Sequence, residues 1–209
     1  KGLWSMEAPF RGSPVRDESF PAASAFCCVR TRGATGSSGS AGELLAGTET
    51  GIVRASASGW QPVDVVEGRT FSVRCLLQTR SSSGDSILWA GTYDNGLLVR
   101  ERGLWTVYDS STGLPHDKID CLMSGENGDG VATTVWIGTD AGGIARTELG
   151  RWRTLAGPAA SPHPVVLSIR ETTAFTGRPE LWVGTYGSGV LRWVDGAWQT
   201  TGPLAPPAM

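Results

Sequence analysis

The sequence predicts an all-β fold of four-stranded antiparallel units repeated in tandem, on three observations. Two markers recur with one shared period. Glycine and tryptophan are abundant, at 29 and 9 of 209 residues, while charged residues make up only 18%. No segment carries a helical apolar period long enough to compete. The first marker is a Gly-Thr strand, seen at Leu44–Thr48, Leu88–Thr92, Val135–Thr139 and Leu181–Thr185. Its glycines, Gly47, Gly91, Gly138 and Gly184, step by 44, 47 and 46. The second marker is a tryptophan just after a hairpin glycine, at Trp60, Trp105, Trp152 and Trp198, stepping by 45, 47 and 46. Trp89, Trp136 and Trp182 lie on Gly-Thr strands, and Trp4 repeats the second marker. Trp193 alone falls outside both positions.

In chain order, Gly2-Leu3-Trp4-Ser5-Met6 matches Gly103-Leu104-Trp105-Thr106-Val107, so residues 1–10 are expected to hold the last strand of a preceding unit. Residues 11–24, rich in Pro and Ser, read as a loop. Unit one, 25–66, opens on the apolar strand Ala25–Arg30. Thr31 to Gly42 is a Gly/Ser-rich hairpin loop, and the Gly-Thr strand and Trp60 follow. Unit two, 71–111, runs through Val73–Leu77, Leu88–Thr92, Leu97–Arg100 and Leu104–Tyr108. Its Asn95-Gly96 pair is a hairpin signal, since Gly tolerates the positive φ of a tight turn. Unit three, 117–157, and unit four, 164–201, repeat the plan from Ile119–Met123 and Val165–Ile169. Residues 202–209 carry closely spaced prolines and read as an extended linker.

Alternation along the leading strand places Val73, Cys75 and Leu77 on one face, with Ile119, Cys121, Met123 and Val165, Leu167, Ile169 as equivalents. One such sheet cannot bury both faces and must stack on its neighbours. Four strands per period of about 46 residues is the signature of β-propeller blades. Trp89, Trp136 and Trp182 then supply bulk between sheets. Gly91, Gly138 and Gly184 leave room for that packing. Trp60, Trp105, Trp152 and Trp198 cover the rim, with their indole N–H near water or a carbonyl.

A net charge of −2 gives no basic surplus for phosphate, so no nucleic-acid partner is expected. No run of about 18 apolar residues exists to span a membrane. No signal peptide is visible, and the start at Lys1 reads as a fragment or a processed product. Cys27, Cys75 and Cys121 share one strand position. Equivalent positions on stacked sheets lie about 10 Å apart, too far for a disulfide, so they are expected as small core residues, with Leu167 in the fourth slot. Cys28 is expected on the opposite face, also buried. Without Cys-x-x-Cys and His partners, no metal site or cofactor is expected. The most polar cluster lies where a loop enters an inner strand: His116, Asp117, Lys118 and Asp120. Arg74 holds the register of Asp120 one repeat earlier, and His163 lies in the next such loop. Arg74, His116, Asp117, Lys118 and Asp120 are the candidate ligand-facing residues. Asp94, Asn95, Asp140 and Asp195 are explained by turn chemistry. No nucleophile elbow, phosphate loop or paired carboxylates stand out, so no catalytic residue is assigned; propeller active sites are assembled from distant loops, so this does not exclude an enzyme.

Leu88-Trp89-Ala90-Gly91-Thr92, Leu181-Trp182-Val183-Gly184-Thr185 and the loop Ser111-Thr112-Gly113-Leu114-Pro115 resemble the repeat of two-component regulator propellers. The resemblance spans about residues 25 to 200. It implies the non-enzymatic sensor propeller of a bacterial receptor with a histidine kinase or diguanylate cyclase output. Such a sensor lies on the periplasmic or extracellular side of a membrane, held by a segment outside this sequence. It implies a small-molecule ligand, often sugar-related, or a protein partner. Two departures stand out. Ala160 to Pro164 replaces Gly-Leu-Pro in unit four, and unit one lacks the strand Trp. The family closes its ring with about seven blades, so four repeats and a surplus strand imply further blades of a longer chain; a closed four-bladed ring is the alternative. Two other functions fit a propeller. An enzyme, a lyase or hydrolase of small polar or sugar substrates, requires acids and His with shifted pKa values at the mouth. A protein-binding scaffold requires an exposed apolar face.

Overall fold

The computed structural model describes residues 4–5, 15–16, 20–21, 24–31, 42–66, 68–126, 132–148, 151–158, 164–173 and 177–200. His163, most of the Gly/Ser-rich loop and the linker 202–209 lie outside them. In chain order the strands are β1 (Trp4–Ser5), β2 (Val15–Arg16), β3 (Ala25–Arg30), β4 (Leu44–Thr48), β5 (Ile52–Ser56), β6 (Gly59–Val63), β7 (Val73–Arg80), β8 (Ser86–Thr92) and β9 (Leu97–Glu101). They continue as β10 (Leu104–Tyr108), β11 (Ile119–Glu126), β12 (Ala132–Thr139), β13 (Ile144–Glu148), β14 (Arg151–Leu155), β15 (Val165–Thr173), β16 (Pro179–Tyr186), β17 (Val190–Val194) and β18 (Ala197–Thr200).

Each repeat folds as one antiparallel meander: β3–β6, β7–β10, β11–β14 and β15–β18, here blades 1 to 4. β1 pairs with β2 in a separate two-stranded sheet, so the stretch 11–24, expected as a loop, contributes a strand. The first strand of each blade is innermost, and β3 packs on β7, β7 on β11 and β11 on β15. Three hydrophobic seams join consecutive blades, and none spans blades 4 and 1 among the described residues. The blades therefore form an open arc rather than a closed four-bladed ring.

The Gly-Thr marker has two physical causes. A Cβ on Gly91 would lie 2.5 Å from Cys75 Sγ and 2.7 Å from Ile119 of the next blade, and one on Gly47 would meet Cys27 and Val73 as closely. The glycine is where two inner strands close on each other. The threonine closes the hairpin: both N–H and Oγ1–H of Thr92 donate to Gly96 O, at 3.0 and 2.7 Å. Thr48, Thr139 and Thr185 bond Gly51, Gly143 and Gly189 in the same way. The turn glycines Gly96, Gly143 and Gly189 sit at φ 72°, 76° and 70°, where an L side chain is strained. The Gly-Leu-Pro loop is also explained. Asp109 caps a single 3-10 turn at Ser110–Thr112, Gly113 ends it at φ 103°, and Leu114 drops into the seam between blades 2 and 3.

A β-bulge corrects the expected strand faces. The ladder skips one residue between Ala25 and Cys27, Val73 and Cys75, Ile119 and Cys121, and Val166 and Ser168. Phe26, Arg74, Asp120 and Leu167 are the skipped residues. An extra residue breaks strict alternation, so Val73 and Leu76 face blade 1 while Cys75 joins the seam with blade 3. Likewise Ile119 and Leu122 face blade 2, while Cys121 and Met123 face blade 4. In blade 4 the expected register is also off by one. Ser168, not Leu167, pairs with Gly184 and fills the fourth cysteine slot, and Leu167 is 52% exposed. A one-residue slip exchanges the two faces of a strand.

The thiols serve the seams. Cys75 Sγ donates to Ile119 O at 3.9 Å and Cys121 Sγ to Val166 O at 3.8 Å, reaching the carbonyl that opens the next blade's bulge. Burial pushes Cys27 up to about 11 and Cys121 up to about 12, and raises Cys75 well above its ordinary value. All four cysteines are free thiols, and Cys28, expected to be buried, is exposed on the outer face of blade 1.

The tryptophans meet across seams. Trp89 of blade 2 meets Trp152 of blade 3 edge to face, with centroids 6.3 Å apart, and donates Nε1–H to Thr79 Oγ1 at 2.8 Å. Trp136 is buried in the seam with blade 4, which Trp198 also lines. Trp198 donates to Ala156 O at 2.5 Å, the rim contact expected of an outer tryptophan. Trp105 lies in the seam between blades 1 and 2, and Trp60 is covered by Phe20.

Candidate functional site

The inner strands begin, and the hairpins after each Gly-Thr turn, at one end of the arc, here called the head. The repeat delivers two registers of variable residues there. One is the bulge register: Phe26, Arg74, Asp120 and Leu167. The other directly follows the Gly-Thr threonine: Glu49, Tyr93, Asp140 and Tyr186. Of the six exposed large apolar side chains among the described residues, Phe26, Tyr93, Leu167 and Tyr186 stand in these registers. Exposed apolar area is thus concentrated at the head.

Arg74 and Lys118 converge on Tyr93. The Arg74 guanidinium carbon lies 4.7 Å from the Phe26 ring centroid and 5.6 Å from that of Tyr93. Lys118 Nζ lies 4.9 Å from the Tyr93 centroid and donates to Asp140 Oδ2 at 2.5 Å. That hydrogen bond raises the Lys118 pKa above the usual lysine value. Asp120 is half-buried, and burial raises its carboxyl above the usual range. Asp140 adds to that rise, while Lys118, Arg74 and His116 oppose it. A cavity of about 380 Å³ opens beside them, lined by Tyr93, Asp94, Ser110, Pro115, His116, Asp117, Lys118 and Asp140.

The expected set is therefore gathered, in unequal roles. His116 Nδ1 accepts the Lys118 backbone N–H at 3.0 Å, which folds the loop into the strand. Asp117 accepts from Ser110 N at 2.6 Å and Ser110 Oγ at 3.1 Å, and its own carbonyl accepts from Gly96 N at 2.7 Å. It clamps the loop to the neighbouring hairpin. Asp140, which turn chemistry accounts for in the sequence, belongs to the site through Lys118. Tyr93 was legible too: the residue after Gly-Thr varies as Glu, Tyr, Asp, Tyr while the Gly-Thr before it stays fixed.

A second cavity, of about 560 Å³, lies at the opposite end of the inner strands, lined by Leu77, Leu122–Gly125, Arg170–Thr173 and Pro179. No motif announces it, because its lining comes from separate strands, β7, β11, β15 and β16. Among the described residues, no three His, Cys, Asp or Glu side chains converge to hold a metal ion.

No family model matches the chain. No curated protein matches it either. Solved structures do resemble it. The extracellular domain of a proposed one-component system from B. thetaiotaomicron aligns over 96% of this chain with a TM-score of 0.66 and 22% identity. YCF48 bound to a D1 peptide aligns over 91% with a TM-score of 0.51 and 22% identity, and BBS1N in complex with ARL6DN over 84% with 0.51 and 12%. The chain spans 25%, 57% and 53% of those three chains. All three are propeller-type domains, and the likeness establishes the fold as a β-propeller arc.

Proposed function

We propose that this chain is the ligand-binding part of a non-enzymatic sensor propeller in a bacterial two-component or cyclic-di-GMP signalling receptor, on the periplasmic or extracellular side of a membrane. The observation that carries this reading is the head itself. A constant Gly-Thr and bulge framework presents aromatic and charged residues that differ from blade to blade, over an open cavity. That arrangement suits recognition of a small polar molecule such as a saccharide, or of a protein segment. The wording of the repeat supports the signalling context, as does the likeness to an extracellular domain. The partners nearest in space are further blades of the same longer chain. Val190 is 41% exposed where its equivalents Ile52, Leu97 and Ile144 are at most 1% exposed.

The enzyme reading draws on Asp120, whose carboxyl is raised as a general acid requires. Its neighbours weaken that reading. Asp117 is spent on Ser110, Asp140 on Lys118 and His116 Nδ1 on the Lys118 backbone N–H, so the groups around Asp120 serve the loop's own structure. The flanking sequence tests the sensor. A membrane-spanning segment followed by a kinase or cyclase domain is the expected result. Turnover of glycosides or uronides by this chain, lost in Asp120→Asn, would favour the enzyme and overturn the proposal.

A further inference from the structure

We infer that Arg74 is an anion anchor and that the ligand taken at the head carries a carboxylate. The inference rests on reading the head as a ligand site and adds the ligand's chemistry. Arg74 is the skipped residue of the blade 2 bulge, so it leaves the sheet ladder and lies against Phe26 and Tyr93 at the head. A guanidinium lying over aromatic rings keeps its five N–H donors in its own plane, free to bond outward.

No described residue takes those donors. Arg74 has no hydrogen bond and no ion pair among the described residues, its contacts being the two rings. Among the described residues Arg54 bonds Glu43, Arg69 bonds Asn95, Arg102 bonds Asp85, Arg178 bonds Asp195 and Arg192 bonds Glu180, while Arg100, like Arg74, lies against a ring, that of Trp105, but away from the head on β9. Arg74 is thus held by its faces with its fork open. A side chain already fixed loses little freedom when a ligand arrives. An Arg fork matches the two oxygens of a carboxylate.

The surroundings select the charge. Lys118 is already neutralised by Asp140, and Asp120 and Asp94 add negative charge nearby. A phosphate dianion meets more repulsion there than a carboxylate monoanion. Asp120 faces Arg74, Lys118, His116 and Asp140, so carboxylate binding should tighten on acidification as Asp120 takes up its proton.

Glucuronate and glucose test this as a pair, differing by a carboxylate in place of a hydroxymethyl group. Both are titrated into the whole chain at low salt by calorimetry and two-dimensional NMR, with inorganic phosphate as a third probe. Glucuronate is expected to bind about tenfold or more tightly than glucose, in line with a charge-assisted hydrogen bond. Arg74→Gln should remove that advantage while the melting temperature holds, and Arg74→Lys should restore part of it. Glucuronate binding unchanged in Arg74→Gln, or phosphate binding more tightly than glucuronate, overturns the anchor. Equal binding of the two sugars, lost in Tyr93→Ala, keeps the head as a ligand site and overturns only the carboxylate. No head resonance moved by any probe overturns both.

Discussion

At the bulge of each inner strand one residue leaves the sheet, and the chain places Phe26, Arg74, Asp120 and Leu167 there. In blades 2 and 3 the residues on either side, Val73 and Cys75, Ile119 and Cys121, pack into the seams, so variety at the skipped position leaves the core unchanged. Asp120 carries a pH signature. Burial raises its carboxyl, so the folded protein holds the proton more tightly than the unfolded chain does. Below the ordinary value of 3.8 both states are protonated, and Asp120 contributes no difference. As pH rises through the raised folded value, the wild-type chain loses stability relative to Asp120→Asn. Denaturant melts of both proteins between about pH 3.5 and 7 check the sign; a gap that narrows with rising pH contradicts it. The cysteines make a second test. Buried thiols with raised pKa values are poor nucleophiles, so iodoacetamide at neutral pH should label Cys28 first and spare Cys27, Cys75 and Cys121 until denaturant is added. Mass mapping of the labelled peptides would expose early reaction at any of the three. The Arg74 cluster was half legible: repeat alignment found Arg74 and Asp120 in one register. It could not find that Arg74 lies against Phe26, the same register one blade earlier, because that contact crosses between blades.

At the scale of the strand, the Gly-Thr marker is a packing rule and a turn rule in adjacent letters. Gly138 faces Cys121 and Val166 with no room for a Cβ. Gly138→Ala should cost about 1–3 kcal/mol through overpacking. Trp136 fills the same seam and is 4% exposed, so Trp136→Ala should cost about 3–5 kcal/mol. Trp182 holds the same register in blade 4, where no described residue of another blade packs on it. It bonds Glu180 Oε2 at 3.2 Å and lies under Arg192. Trp182→Ala should therefore cost about 1 kcal/mol, the centre of ordinary substitutions. Chemical denaturation of the three variants gives the ranking, and equal losses at Trp136 and Trp182 would contradict the seam assignment. Strand existence was legible because the markers repeat. Strand facing was not, because the bulge adds one residue without changing the apolar composition around it.

For the whole molecule, the open arc leaves the leading face of blade 4 in water. Ser168, Arg170, Trp182, Val190 and Arg192 stand there in the registers that blade 3 fills with Cys121, Met123, Trp136, Ile144 and Arg146. The face is more polar than its equivalents yet keeps a tryptophan and a half-open valine. The isolated chain should self-associate as concentration rises, and Val190→Glu with Trp182→Glu should return it to a monomer. Sedimentation velocity reads this directly; a wild-type monomer at all concentrations would mean that the face is satisfied as it stands. By itself the sequence determined that the chain is a tandem of four-stranded sheets and which glycines and tryptophans join them, because periodic side-chain volume survives in one dimension. Only the tertiary structure decided which residues share a seam, that these four blades do not close on one another, and that Arg74 meets two rings with its donors free. Those facts depend on where neighbouring blades end, a distance of about one period along the chain that no local pattern encodes.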